Sequence, residues 1–357
     1  MVRLTPGDRL PFCIGVGTDR QFYSSDLQAG RAAILVLGGS GAPQEYDPVL
    51  ALLAGRRGEV AALNADLLVL LGFDALARVH AQGAASAHGL RVILCGDTSQ
   101  AAYCAQLELP ALVVIDRAGR LTHLAAIRAS DPALLVAEAM AALGPLCRAA
   151  DSPVGAPVLA LPGLLDPALC HRLVSGFGAA ATYDSGMSGS DANGLVQDRI
   201  DHARKCRTDW MLQPGDGVHE RVTDLLGRRC VPEIRRAFHS EVAHIDRILV
   251  VRYDAGVGHF GRHRDNSTAA LAFRQFAVSI NLGCLPFEGG RVVFPEYGDE
   301  EYCPASGEGI VFSSSLLHEV TRVRRGCRYA LLTFLHDADA EARRLERVTA
   351  GSAPLLH

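Results

Sequence analysis

The stretch Ile248–Asn266, ILVVRYDAGVGHFGRHRDN, decides how the second half of the chain folds. It opens on an apolar run of strand length ending at Tyr253, crosses a Gly-rich turn, and arrives at His263-Arg264-Asp265. Beyond it the pattern is all strand: Phe276 to Leu282, Arg291 to Phe294, Gly309 to Phe312, and Arg328 to Leu335, with Ile248 to Tyr253 the first. Short strands separated by Gly-rich turns predict a barrel or jelly roll. Ahead of the strands, Val158 to Leu161 and helices over Pro167 to Phe177 and roughly Gly217 to Phe238 flank the sheet. Between those helices the Ser-, Gly-, Asp- and Asn-rich segment Gly178 to Asp201 reads as a mobile surface loop.

His263 and Asp265, joined by the later His318, form a ligand set of two imidazoles and one carboxylate. That set holds Fe(II) on one face and leaves positions for a bidentate 2-oxo acid and O₂. His-x-Asp alone is weak, because His244-Ile245-Asp246 is a second copy, read as turn residues before the Ile248 strand. Only the first copy has Tyr253 upstream, a Gly-rich turn between, and a distal histidine followed by a basic residue on the next strand. That residue, Arg328, shares a strand face with Ala330, Leu332 and Phe334. A guanidinium among apolar neighbours is costly unless paired, and a carboxylate is the partner it fits bidentately.

Together with "FAVSINLGCLPFEGGRVVFPEYG" and "GIVFSSSLLHEVTRVRRGCRYALLTFL", the quoted stretch resembles the catalytic domain of prolyl 4-hydroxylase-like 2-oxoglutarate/Fe(II) oxygenases over roughly residues 156–337. The resemblance implies a double-stranded β-helix (jelly-roll) core. It also implies that substrate C–H, O₂ and 2-oxoglutarate become alcohol, succinate and CO₂, with ascorbate as reductant. On it, His263, Asp265 and His318 bind iron, Arg328 clamps the 2-oxoglutarate tail, and Tyr253 lines the cosubstrate pocket. Where the family has Tyr-Leu-Asn, this chain has Asn281-Leu282-Gly283, which offers Asn281 as the substitute for a second tyrosine contact. A carboxylate at Asp265, rather than Ala or Gly, favours hydroxylation over halogenation.

The first half alternates strand-like and helix-like segments. Ala33 to Leu37, Ala65 to Leu71, Arg91 to Cys95, Ala111 to Asp116 and Leu121 to Ala125 read as strands. Helices are expected over Tyr46 to Leu53, Asp74 to His88, Ser99 to Leu107 and Asp131 to Leu143. The pattern predicts a three-layer α/β domain. With Pro110 before "ALVVID" and the hairpin "IDRAGRL", it resembles the thioredoxin-like fold of peroxiredoxins. The loop where peroxiredoxins carry their reactive cysteine is here Gly38-Gly-Ser-Gly-Ala-Pro-Gln-Glu-Tyr-Asp47, without one. Cys95 and Cys104 match a buried strand and a helix, so the domain reads as redox-inactive. A Pro-, Gly- and Ser-containing linker, Ala149 to Pro157, gives expected domains of 1–148 and 156–340.

Bulk properties narrow the rest. The net charge of −4 argues against a general nucleic-acid or membrane-surface role, and no apolar run reaches bilayer length. No apolar segment backs Arg3 as in a signal peptide, and ten scattered cysteines show no disulfide framework; both suit a cytoplasmic protein. Lys205 is the only lysine among 35 basic residues, as GC-rich codon usage would produce. The expected substrate is a prolyl or other amino-acid residue in a peptide or protein, with a free amino acid or small metabolite as the alternative. The extra α/β domain could dock a substrate or build a homodimer. Two readings of other classes are a thiol peroxidase and a non-catalytic iron/2-oxoglutarate sensor.

Overall fold

The computed structural model describes residues 3–38, 46–72, 83, 87–128, 130–147, 155–190 and 196–349. It divides into two compact units, Met1–Val154 with Pro295–Gly298, and Gly155–Phe294 with Asp299–His357.

In the first unit the elements run β1 (Ile14–Gly17), β2 (Phe22–Ser24), α1 (Ser25–Gln28), β3 (Ala33–Leu37), α2 (Asp47–Gly55), α3 (Arg57–Ala62), β4 (Asp66–Leu71), β5 (Arg91–Cys95), α4 (Asp97–Gln106), β6 (Ala111–Ile115), β7 (Leu121–Ala126) and α5 (Pro132–Leu146). The strands form one mixed sheet in the order β2-β1-β5-β4-β3-β6-β7, parallel only across β3-β4-β5. The continuous apolar run of β3 follows from burial on both faces. Ile34 and Val36 pack with α2 and α5, while Ala33, Leu35 and Leu37 pack on the opposite layer with Tyr103. The Leu109–Pro110 peptide is cis, directly before β6. Strands β1 and β2, the outer two on one side of the sheet, were not read from the sequence. The expected helix Asp74 to His88 and the cysteine-free loop lie largely outside the described residues.

The second unit contains β8 (Leu159–Leu161), α6 (Pro167–Phe177), β9 (Tyr183–Asp184), β10 (Met187–Ser190), β11 (Val196–Arg199), β12 (Lys205–Cys206), β13 (Thr208–Met211), α7 (Gly217–Arg229), α8 (Val231–Phe238), β14 (His244–Asp254), β15 (His259–His263), β16 (Phe276–Asn281), β17 (Phe287–Gly289), β18 (Val292–Val293), β19 (Glu301–Tyr302), β20 (Gly309–Ser313), β21 (His318–Val320), β22 (Val323–His336) and α9 (Ala338–Thr349). Two antiparallel sheets make the jelly roll. One is β12-β15-β21-β18-β19; the other is β8-β20-β16-β22-β14-β13-β9, with β17 joined to β22. The larger sheet is two-faced. Ile248, Val250, Val278, Leu331 and Leu335 pack against α6, α7 and α8, whereas Leu249, Tyr253, Ser279, Arg328 and Leu332 line a cavity on the other face.

Four expectations change here. The segment read as a mobile loop holds β9 and the β10–β11 hairpin, paired from Met187↔Arg199 to Ser190↔Val196. The single helix Gly217 to Phe238 is two, broken at Cys230, where Pro232 in the first turn of the second has no N–H to continue the first. Arg328 does not open its strand, because β22 starts at Val323 and pairs with β17 first. His244 and Asp246 lie within β14 rather than in a turn before it, at an irregularity between Ile245 and Ile248. Among the described residues, no helix is long and apolar enough to cross a membrane.

Candidate active site

β15 and β21 are antiparallel neighbours in which His263 stands opposite His318, so two histidines 55 positions apart reach one point. Asp265, just past the end of β15, is tied there by its own N–H to the Ser314 carbonyl (2.9 Å). Its carboxylate oxygens lie 3.5 Å from His263 Nε2 and 3.4 Å from His318 Nε2. The three ligand atoms fall within 4.8 Å of one another, as no other such group does among the described residues.

Hydrogen bonding sets the state of both rings. His263 Nδ1 faces the Gly261 carbonyl at 2.8 Å and His318 Nδ1 faces the Leu316 carbonyl at 3.0 Å. A carbonyl only accepts, so each Nδ1 carries the proton and each ring turns its Nε2 toward Asp265. Burial, and then the neighbouring His318, push His263 down to about 4. Burial would raise the Asp265 carboxyl, but His318, His263 and Arg274 together hold it below the usual carboxylate range. At neutral pH His263 is therefore a neutral donor and Asp265 an anionic one. Phe260 stacks on His263 with ring centres 3.5 Å apart, and Phe312 meets His318 edge-on at 4.8 Å. These rings hold the imidazoles and keep water from their flanks.

The triad opens into a cavity of about 150 Å³ between the two sheets. In its wall Arg328 is 3% exposed. Its Nη2 sits 3.4 Å from Ser279 Oγ, its guanidinium carbon 5.4 Å from the Tyr253 ring centre, and its Nη1 has no hydrogen-bond acceptor among the described residues. Burial pushes this guanidinium below its ordinary value. A turn at Gly289 and Gly290 makes room for the stem: at Gly290 (φ +62°) a Cβ would stand 3.0 Å from Arg328 Cδ. Tyr253, opposite Arg328 across β14 and β22, accepts a hydrogen bond from Arg207 Nη1 (3.2 Å). Its own O–H is thereby left to donate.

Of the six residues singled out in the sequence, His263, Asp265, His318, Tyr253 and Arg328 meet in this cavity. Asn281 does not, which corrects the expectation of a cosubstrate contact. Its Nδ2 donates to the Pro304 carbonyl (2.8 Å) and its Oδ1 accepts from the Gly283 N–H (3.3 Å). β16 ends at Asn281, and a terminal asparagine closes the following turn on itself. Ser279, two residues earlier on the same strand, reaches Arg328 instead. The second His-x-Asp copy is structural. Asp246 accepts from Arg274 Nε at 2.9 Å, and His244 stacks on His336.

Sequence reasoning missed the cavity's other polar wall. Arg207 is paired with Asp209 (2.8 Å), which also accepts from Ser185 Oγ (2.6 Å). Burial would lower Arg207, but Asp209 and Tyr253 more than offset it. Lys205 is 6% exposed, its Nζ donating to the Gly186 carbonyl (2.6 Å) and lying 4.8 Å above the Phe260 ring. Its status as the sole lysine was the available signal. In the first unit, Cys95 is buried on β5 as expected, and the fold brings its Sγ to 3.1 Å from that of Cys13, a pairing that spacing did not suggest. The hydrogen bond with Cys13, then burial, push the Cys95 thiol up.

No family model matches the chain. A PKHD-type hydroxylase of Delftia acidovorans is 31% identical over 104 residues, 26% of this chain and 46% of the relative. One from Herminiimonas arsenicoxydans is 30% identical over 101 residues, 26% of this chain and 44% of the relative. The chain thus spans less than half the length of these curated relatives. Among solved structures, a Pseudomonas putida prolyl-4-hydroxylase aligns over 52% of this chain and 95% of its own at 16% identity, with a TM-score of 0.40.

Proposed function

We propose that the second unit is an Fe(II)- and 2-oxoglutarate-dependent oxygenase that hydroxylates an unactivated C–H bond, releasing succinate and CO₂. The observation that carries this reading is the convergence of His263, Asp265 and His318 in a cavity whose wall holds Arg328 with a buried, acceptor-less Nη1. Both halves fit their groups. Two imidazole Nε2 donors and one ionised carboxylate suit Fe(II) and leave further positions for small oxygen ligands. An arginine buried without a carboxylate suits an incoming one. The partial likeness to PKHD-type hydroxylases supports the same assignment.

When bound, the iron supplies O₂ activation at the expense of the 2-oxo acid, with ascorbate as the reductant that keeps it ferrous. The chain does the rest. Arg328 and the Tyr253 hydroxyl bind and orient the distal carboxylate of 2-oxoglutarate. Arg207 fixes the direction of the Tyr253 O–H, and Asp209 fixes Arg207. Gly261 and Leu316 hold the ligand tautomers, while Phe260, Phe312 and Val320 exclude water around them. The working domains are 1–148 and 156–340.

The first unit we read as a thioredoxin-like, redox-inactive module. The mixed sheet with parallel β3, β4 and β5 at its centre and the β6–β7 hairpin support the fold. Burial of Cys13 and Cys95 supports the lack of thiol chemistry, since a nucleophilic thiolate must be reachable. The assay is succinate formation from 2-oxoglutarate by the purified full chain with Fe(II), ascorbate and O₂. Slow turnover without a prime substrate is expected, and its loss in His263→Ala. A chain that binds no Fe(II) and turns over no 2-oxoglutarate refutes the reading.

A further inference from the structure

The cavity has a second cationic end. Tyr253 and Arg328 mark the first; six residues along their strands stand Arg247 and Phe334, about 20 Å away at ~3.3 Å per residue. Arg274 joins them there, 4% exposed, its guanidinium carbon 3.7 Å from the Phe334 ring centre. Arg274 Nε and Nη2 both lie on one oxygen of Asp246, at 2.9 and 2.5 Å. Arg247 Nε is 3.5 Å from that same oxygen, and is a buried donor with no hydrogen-bond acceptor among the described residues. One carboxylate therefore serves two guanidiniums. This end opens into the same cavity as the metal-ligand cluster, whose Asp265 lines it together with Arg247 and Arg274.

The excess extends to the whole cavity. Arg207, Arg247, Arg274 and Arg328 line it against Asp209 and Asp265, with Asp246 behind Arg274. Ferrous iron and the 2-oxoglutarate dianion cancel each other, so cosubstrate loading leaves the surplus in place. Enclosed positive charge without counter-charge is unfavourable, and an anionic ligand relieves it. An internal residue of a neutral peptide brings no anion to this wall.

We propose that the prime substrate is a small molecule bearing a free carboxylate, held by Arg247 and Arg274 at the end of the cavity opposite Arg328. The proposal rests on the oxygenase reading and names its substrate class. Guanidinium pairs match a carboxylate in geometry, and burial makes each such hydrogen bond stronger than at the surface. Because Arg274 lies inside the wall, the carboxylate must sit on a compact end of the molecule.

The test compares free L-amino acids and simple carboxylic acids with their primary amides, alongside C-terminally amidated proline peptides and acidic peptides, as stimulants of succinate release by the full chain. At least one free acid should stimulate, with kcat/KM at least tenfold above its amide. Arg247→Gln should shrink that acid-over-amide ratio at least tenfold, and Arg247→Lys should restore part of it. The responding acid should also raise the melting temperature of the iron-free chain, the amide should not, and Arg247→Gln should remove the shift. Equal response to acid and amide overturns the proposal, as does stimulation by peptides alone. So does silence from every acid while uncoupled 2-oxoglutarate turnover continues. Absence of that turnover in the unmodified chain instead refutes the oxygenase reading, and the acid-specific melting shift still decides the anion site.

Discussion

Replacing Arg328 by methionine separates two effects that a merely structural arginine would not separate. The side chain is 3% exposed, its Nη1 has no acceptor among the described residues, and Ser279 Oγ at 3.4 Å is a weak neutral partner. In the ligand-free chain the guanidinium is thus a nearly uncompensated buried charge. An unbranched apolar side chain of similar length removes that desolvation penalty, and stability should hold or rise by about 1–3 kcal/mol. Bound 2-oxoglutarate reverses the sign. Losing a buried, charge-assisted partner costs about 2–4 kcal/mol, which at ~1.4 kcal/mol per decade is about 30- to 700-fold in affinity. Calorimetric titration of 2-oxoglutarate into the Mn(II)-loaded chain measures the second effect, and denaturant melts without ligand measure the first. Metal affinity should stay within a few-fold, because Arg328 is not among the triad's hydrogen-bond partners. Unchanged 2-oxoglutarate affinity, or a large loss of ligand-free stability, refutes the reasoning.

Single alanine substitutions at His263, Asp265 or His318 should abolish stoichiometric Fe(II) binding and succinate formation, whereas His244→Ala should be tolerated; metal analysis and turnover of all four proteins decide between the two His-x-Asp copies. Gly290→Ala should destabilise the second unit by about 1–3 kcal/mol through its left-handed backbone. It should also weaken 2-oxoglutarate binding, because the new Cβ meets Arg328 Cδ at 3.0 Å; affinity equal to the unmodified chain would count against the glycine cradle. The chain should not consume hydrogen peroxide with dithiothreitol as reductant, and a peroxidase activity lost in a Cys13→Ser, Cys95→Ser double variant would show the first unit to be redox-active.

The ligand set and the clamp were legible because each half of the site is a short-range pair in sequence. His263 and Asp265 flank one residue after a Gly-rich turn, and His318 and Arg328 sit ten positions apart on successive strands. Alternation along β22 sufficed to put Arg328 on the face of Leu332 and Phe334, since strand side chains alternate with period two. Alternation could not tell that the Asn281 amide is consumed by Pro304 and Gly283, because that depends on where the chain turns after β16. Nor could it show that both histidines present Nε2, which is set by the carbonyls of Gly261 and Leu316. The second cationic end was beyond reach for the same reason. Asp246 meets Arg274 across 28 residues, in a contact fixed by the pairing of β14, β22 and β16. A one-residue slip in that register would turn every one of these side chains to the helix-covered face. Residue types and short spacings thus determined which groups could do chemistry here; sheet register, settled only by tertiary packing, decided which of them share a cavity.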